Sequence, residues 1–304
     1  MGHFPRRAYQ ALRIRRRPPA IVPAPGRHHA GSTRGAREAD VHLTGLDGIA
    51  AVVTGAAGGI GSRVVEHLAA AGAYVASVDT AHTSVGDRQV AGQDGVAVGS
   101  RVTRHAADVA DAEAAERILD HVEREHGPVG LLVNAAGVLH TGPLTDLTDT
   151  AWQELLAANT TGVLTWCRAV VRRMAPYHRG SVITVASNSA GTPRAGMAAY
   201  AASKAAAGAL TLGLGLEVAR FGIRCNVVCP GSTDTPMLQR MAPTPQARDA
   251  VLHGDPTAFR IGIPLGRLAD PDDIAAAVVF LASDQARHIA IHSLYVDGGA
   301  ALHG

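Results

Sequence analysis

The sequence predicts an α/β fold: one doubly wound domain around a parallel sheet over residues 46–304, preceded by an extension, 1–45, expected to be disordered. Three observations carry this. Short, near-continuous apolar runs, as expected of strands buried on both faces, alternate with amphipathic segments of helical length. The runs end at small or polar residues such as Thr54-Gly55, Asp79 and Asn134, where a strand hands over to a loop or helix. Finally, 47% of the 304 residues are hydrophobic but only 4% are aromatic, so Ala, Val, Leu and Ile must build a core that a chain of this length can bury.

Residues 49–53 form an apolar run that stops at Thr54-Gly55, and 60–71 follow with helical periodicity until Gly72 closes them. Residues 74–78 make the second strand, which ends at Asp79. The polar, glycine-rich stretch 80–100 reads as a loop. Residues 102–106 give a third strand, 111–126 a charged helix, and 129–133 a fourth strand before Asn134-Ala-Ala-Gly137. A long helical region spans 149–175, and 181–185 is the fifth strand. The alanine-rich helix 200–220 is stopped by Gly222. Residues 224–228 are the sixth strand, 272–282 the last helix and 293–296 the last strand. Repeated strand–helix units of this kind imply a Rossmann-type domain covered on both faces.

Charge divides the chain unevenly. Residues 1–45 carry nine arginines against Glu38 and Asp40, whereas the remainder sets 19 basic residues against 24 acidic ones. The folded body is therefore acidic, and the basic extension, with Pro18, Pro19, Pro23 and Pro25 and no sustained periodicity, is expected to be a dispensable disordered segment rather than a nucleic-acid-binding arm or a transit peptide. No apolar run approaches the roughly 20 residues needed to cross a bilayer. Cys167, Cys225 and Cys229 form no CxxC pair and read as buried hydrophobes in a reducing compartment, the cytoplasm. Fifteen histidines, including His28-His29 and His288/His292, lack neighbouring carboxylates or cysteines at ligand spacing, so no metal is expected.

The chemistry concentrates in two places. Thr54-Gly55-Ala-Ala-Gly58-Gly59-Ile60-Gly61 joins the first strand to the first helix, where small residues let the backbone approach a pyrophosphate and the helix N-terminus supplies donors. Asp79 follows 18 residues beyond Gly61, where a carboxylate accepts from both ribose hydroxyls and repels a 2′-phosphate. NAD is therefore expected over NADP. The second place is Tyr200-Ala-Ala-Ser-Lys204, which contains the chain's only lysine. At i and i+4 the two side chains share a helix face, so the ammonium is expected to lower the phenol pKa from about 10 and leave a base usable near neutral pH.

The spacing Gly55-x3-Gly59-x-Gly61 resembles the short-chain dehydrogenase/reductase family. Further motifs of that family follow in order: Asp108-Val109, Asn134-Ala-Ala-Gly137, Asn159, Ser187, Tyr200-x3-Lys204 and Pro230-Gly231. The resemblance implies a catalytic set of Asn159, Ser187, Tyr200 and Lys204. It implies a cofactor site made by Gly55, Gly59, Ile60, Gly61, Asp79, Asp108, Val109, Asn134, Ala135, Gly137, Tyr200, Lys204, Pro230, Gly231 and Thr233. In such enzymes Tyr200 takes the hydroxyl proton, Lys204 lowers the tyrosine pKa and holds the nicotinamide ribose, Ser187 hydrogen-bonds the reacting oxygen, and Asn159 positions a relay water.

Longer strings, 185–197, 222–235, 262–266 and 296–300, resemble the branch of that family that oxidises 2,3-dihydro-2,3-dihydroxybenzoate to the catechol acid of siderophore assembly. That substrate requires a partner for its carboxylate. Arg194 is the candidate, because a guanidinium fork matches a carboxylate, with Met197 and His140 as further substrate residues. His140 departs from the arginine that such relatives carry there. Met237 and 236–260 are expected to form a mobile lid, since Pro243, Pro245, Gly254 and Pro256 disfavour one rigid helix. The glycines and alanines of 200–220 offer a flat face for a partner helix, and the family implies a homotetramer. A related dihydro-aromatic acid, such as trans-2,3-dihydro-3-hydroxyanthranilate, and a non-catalytic dinucleotide sensor remain as alternatives.

Overall fold

Strand β1 (Ala50–Thr54) runs through the middle of a seven-stranded parallel sheet and buries both of its faces. Its alternate side chains serve different cores. Ala51 and Val53 point into one hydrophobic cluster, and Ala50 and Val52 into another on the opposite face. This is the physical meaning of the near-continuous apolar run. The computed structural model describes residues 43–82, 101–256 and 260–302, and these lie in the unit His42–Gly304.

The other strands are β2 (Tyr74–Asp79), β3 (Val102–Ala106), β4 (Val129–Asn134), β5 (Gly180–Val185) and β6 (Ile223–Pro230). A two-residue antiparallel pair, β7 (Gly254–Asp255) and β8 (Arg260–Ile261), stands apart from the sheet, and β9 (Ser293–Val296) completes it. The sheet order is β3-β2-β1-β4-β5-β6-β9. The chain winds outward from β1 in one direction and then from β4 in the other. That reversal leaves a crevice beyond the carboxyl ends of β1 and β4, the place where α/β sheets bind ligands.

Helices α1 (Gly59–Ala70) and α8 (Pro271–Ala282) cover one face through Val64, Leu68, Ile274 and Val278. The other face is covered by α2 (Ala112–His126), α4 (Gly162–Met174) and α5 (Ala198–Val218), which contribute Leu119, Trp166, Val170 and Ala207. Asp111 caps α2 by accepting from the Ala114 amide at 3.0 Å, which fixes where the charged helix begins.

Three differences from the sequence-based expectation bear on function. The helical region 149–175 is interrupted: α3 (Asp149–Leu156) passes into a π-helical turn, Ala157–Thr161, before α4 starts, and Asn159 lies within that turn. The excursion after β6 contains two short helices, α6 (Pro236–Met241) and α7 (Pro245–His253), each with Pro in its first turn and each capped by a threonine, Thr235 or Thr244. Thus no single helix spans 236–260, and Pro245 starts the second of two short ones, since its missing amide is an orphan there anyway. The β7/β8 pair lacks any alternating pattern long enough to have been foreseen. The loop expected over 80–100 and the extension 1–45 lie almost wholly outside the described residues. Among the described residues, no helix is long and apolar enough to cross a membrane.

Candidate active site

The turn after β1 is built for close approach of backbone to backbone. Gly55 has φ +67, and a Cβ there would collide with the main chain of Ala136 in the turn after β4. At Gly59 a Cβ would lie 2.7 Å from Thr235 Cγ2. Helix α1 then opens without a side-chain cap and without an acidic residue in its first turn, so its leading amides keep their capacity for an anion. Gly55, Gly58, Gly59, Ile60 and Gly61 line a cleft of about 580 Å³, together with Asp79, Asp108, Val109, Ala135, Ala136 and Gly137. The narrow glycine cradle, the open helix terminus and the carboxylate at its far end fit a dinucleotide.

Asp79, at the end of β2, accepts from the Ala57 amide at 3.0 Å and the Ala81 amide at 2.9 Å. It therefore ties the glycine turn to its own strand as well as lining the cleft. Asp108 accepts from the Ala110 amide at 2.9 Å. Asn134 behaves differently from expectation. Its Nδ2 donates to Cys167 Sγ at 3.4 Å and Thr184 Oγ1 at 3.2 Å, inside the core between β4, α4 and β5. The cleft is lined instead by the four residues that follow it, Ala135, Ala136, Gly137 and Val138.

A second cavity, about 130 Å³, adjoins this cleft and shares Ile60, Ala135 and Gly137 with it. Ser187, Tyr200, Lys204, Arg194, Met197, Pro230, Gly231 and Thr233 line it, so the structure brings together residues scattered over more than 40 positions. Ser187 follows β5 with its hydroxyl 2.8 Å from Ser189 Oγ and accepting from the Ser189 amide at 3.1 Å. It also hydrogen-bonds the Tyr200 phenol. Lys204 is buried one turn further along α5, and its Nζ donates to the Val185 carbonyl at 3.0 Å. Asn159, fully buried, accepts from the Val138 amide at 2.9 Å and donates to the Val138 carbonyl at 3.0 Å and to Ser203 Oγ at 2.9 Å. Both of its amide hydrogens and one lone pair of its oxygen are thereby committed.

The electrostatics correct one expectation. Burial pushes the Tyr200 phenol up to about 12, and the groups that pull against this are the Ser187 hydrogen bond and the Arg194 charge, not Lys204. Lys204 itself is brought down to about 8 by burial. The i, i+4 spacing puts the two side chains on one helix face, but the ammonium is anchored to the end of β5.

His140 does not join the substrate cavity. Its Nε2 lies 2.9 Å from Glu154 Oε2, and it lines a separate cavity of about 220 Å³; its neighbour Leu139 lines the substrate cavity instead. Asn188, Ser232, Leu238 and Met241, none of them foreseen as site residues, also line that cavity. The first two adjoin Ser187 and Gly231, and sequence proximity to those motifs was the available signal. Among the described residues no group of three His, Cys, Asp or Glu side chains is arranged to hold a metal.

Residues 55–301 match the family model described as enoyl-(acyl carrier protein) reductase. The chain is 45% identical over 262 residues to a Bacillus subtilis protein named 2,3-dihydro-2,3-dihydroxybenzoate dehydrogenase, an alignment covering 86% of this chain and 99% of the relative. The Escherichia coli protein of the same name is 39% identical, with 82% and 96% covered. The vibriobactin-specific 2,3-dihydro-2,3-dihydroxybenzoate dehydrogenase of Vibrio cholerae is also 39% identical, with 83% and 95% covered. With the glycine cradle, the Ser187–Tyr200 pair and this nearly full-length similarity in place, the chain belongs to the short-chain dehydrogenase/reductase family, oxidoreductases that act on small molecules with a nicotinamide dinucleotide.

Proposed function

We propose that the protein oxidises 2,3-dihydro-2,3-dihydroxybenzoate to 2,3-dihydroxybenzoate with NAD⁺, as a step in the biosynthesis of catechol siderophores. The observation that carries this reading is 45% identity to a protein of that named activity over 99% of its length. Arg194, beside the Ser187–Tyr200 pair, supports it, because the substrate's ring bears a carboxylate on the same edge as the reacting alcohol.

NAD is favoured over NADP by Asp79, whose carboxylate lines the cleft where a 2′-phosphate would meet it. The bound dinucleotide supplies the carbon that accepts hydride. The chain's own residues do the rest. Tyr200 Oη takes the hydroxyl proton as hydride leaves the same carbon, and Ser187 Oγ donates to the oxygen as it becomes a carbonyl. Lys204, held at the end of β5, would hold the nicotinamide ribose. Asn159 commits both amide hydrogens and one oxygen lone pair to Val138 and Ser203, so in this reading its side chain positions the segment after Gly137 and the relay water is held at its main chain. Oxidation at the ring C3 hydroxyl gives an enone that tautomerises to the aromatic catechol, which drives the reaction forward.

Residues 46–304 form the catalytic domain in this reading, and removal of 1–45 leaves activity intact. The reaction takes place in the cytoplasm, consistent with three buried free cysteines. A homotetramer is favoured by α5, where Gly208 and Gly213 leave open space beside the exposed Leu210 and Leu216; light scattering tests it. The decisive assay follows NADH formation with the diol acid, with trans-2,3-dihydro-3-hydroxyanthranilate in parallel and Tyr200→Phe as control. Turnover of the diol acid that disappears in the variant is expected. Turnover of the amino acid alone keeps the mechanism and moves the substrate. Turnover of neither sinks the reading.

A further inference from the structure

Arg260 stands on β8, opposite Asp255 in the two-residue ladder, and its Nη2 donates to Ser232 Oγ at 3.3 Å. Ser232 lines the substrate cavity, as does Arg194, which reaches it from the loop before α5. The loop therefore brings the Arg194 guanidinium to this cavity, and the hairpin holds that of Arg260, with the Asp255 carboxylate near it, behind Ser232 in the cavity wall. Both are half-buried, and Arg194 lies close enough to Arg260 for the two charges to repel. Among the described residues the Arg194 side chain makes no hydrogen bond or ion pair, although its carbonyl accepts from the Met197 amide. The nearby carboxylate, Asp297, already accepts from Asn188 Nδ2 at 3.0 Å and from the Gly299 amide at 3.0 Å. Like charges drawn out of water toward each other are costly unless an anion joins them.

We propose that Arg194 and Arg260, with the Ser232 hydroxyl, form a two-sided carboxylate clamp, and that Arg260 makes the enzyme selective for an anionic substrate. The proposal rests on the reading that this cavity oxidises a carboxylate-bearing ring alcohol. It goes further by assigning the second half of the carboxylate site to the excursion between β6 and α8. The substrate's charge then holds that excursion against the cavity, since Arg260 belongs to the hairpin and Arg194 to the body of the domain.

The test is calorimetric binding of 2,3-dihydroxybenzoate and of catechol, which lacks the carboxylate, to the enzyme with NADH. Relative to wild type, Arg260→Gln is expected to weaken dihydroxybenzoate binding about 10- to 100-fold, the loss of one charge-assisted contact, while catechol and NADH change less than about twofold. Arg260→Lys, which retains charge without the fork, is expected to fall between. Unchanged dihydroxybenzoate affinity in Arg260→Gln overturns the proposal. So does an equal loss of both ring ligands, which signals a displaced hairpin, or a wild type that does not prefer the acid. The two readings fail separately. Wild type that leaves the diol acid unoxidised while Arg260→Gln still loses carboxylate binding removes the proposed reaction and keeps the clamp. Active wild type with a silent Arg260→Gln does the reverse.

Discussion

Asn159 grips Val138 by both edges of its amide, accepting from the Val138 N–H at 2.9 Å and donating to its carbonyl at 3.0 Å. The grip fixes the segment that follows Gly137, where a Cβ would stand only 2.9 Å from Lys204 Nζ and 3.0 Å from Asn159 Oδ1. One buried amide thus sets the boundary between the cofactor cleft and the substrate cavity.

Removing that amide strands two main-chain groups, while the Ser203 hydroxyl still donates to the Tyr200 carbonyl at 2.8 Å. Asn159→Leu is expected to cost about 2–4 kcal/mol of stability and to lower kcat at least tenfold. Asn159→Asp retains the acceptor for the Val138 amide but presents an oxygen to the Val138 carbonyl, so it is expected to recover little. Thermal melts paired with NADH formation check both. A variant with wild-type melting and wild-type turnover would show that the grip is incidental.

Ser187 and Tyr200 predict a pH signature. The phenol is pushed up to about 12 by burial, and the Ser187 hydrogen bond is the first of the two groups opposing that rise. The base form of Tyr200 is the deprotonated one, so activity rises with pH. Removing a donor that stabilises phenolate raises the pKa further. Ser187→Ala is therefore expected to lower kcat/KM by about 100-fold and to move the ascending limb of its pH profile to higher pH. Tyr200→Phe is expected to abolish the limb. A Ser187→Ala profile that keeps the wild-type midpoint would separate the serine from the tyrosine.

At the other end of the cleft, Asp79 accepts from the Ala57 and Ala81 amides and turns its charge to the cleft proposed to hold the dinucleotide. Asp79→Ser retains some acceptor capacity and removes the charge. Its KM for NAD⁺ is expected to rise about tenfold, one lost charge-assisted contact, and the ratio of kcat/KM for NAD⁺ over NADP⁺ is expected to narrow. Steady-state kinetics with both cofactors measure this. An unaltered ratio would remove Asp79 from the discrimination.

The alternation of strands and helices was legible because β1, β4 and β5 are buried on both faces and so must be apolar at consecutive positions. That Ser187, Tyr200 and Lys204 belong together was legible because their motifs are local in sequence, and the structure puts all three on one cavity. What escaped the sequence depends on tertiary geometry. Nothing local says that Asn134 turns into the core toward Cys167, or that His140 finds Glu154 and leaves the cavity to Leu139. Arg260 escaped for the same reason. It enters the site through a two-residue ladder and a contact with Ser232, 28 positions away. The spacing of Tyr200 and Lys204 placed both on one helix face and was silent on the Val185 carbonyl that takes the ammonium.

Lys204 links function to stability. Its pKa falls from 10.5 to about 8, with burial as the leading cause. Below pH 8 both folded and unfolded chains carry the proton, and the folded state bears the full cost of a buried charge. Between pH 8 and 10.5 the unfolded chain binds more protons, so stability rises with pH across that window. Tyr200, raised from 10 to about 12, acts in the opposite direction only above pH 10, where the unfolded phenol ionises first. Lys204→Met removes the charge at nearly constant volume and leaves only the Val185 carbonyl without its donor. The variant is expected to be inactive yet about 1–2 kcal/mol more stable than wild type at pH 7, the burial cost less one lost hydrogen bond. Its advantage is expected to shrink as the pH approaches 10. Melting temperatures of the cofactor-free proteins at pH 7, 8.5 and 10 provide the measurement. A variant that is less stable at pH 7, with a gap that does not change with pH, would mean that the ammonium is held for packing rather than at a cost to the fold.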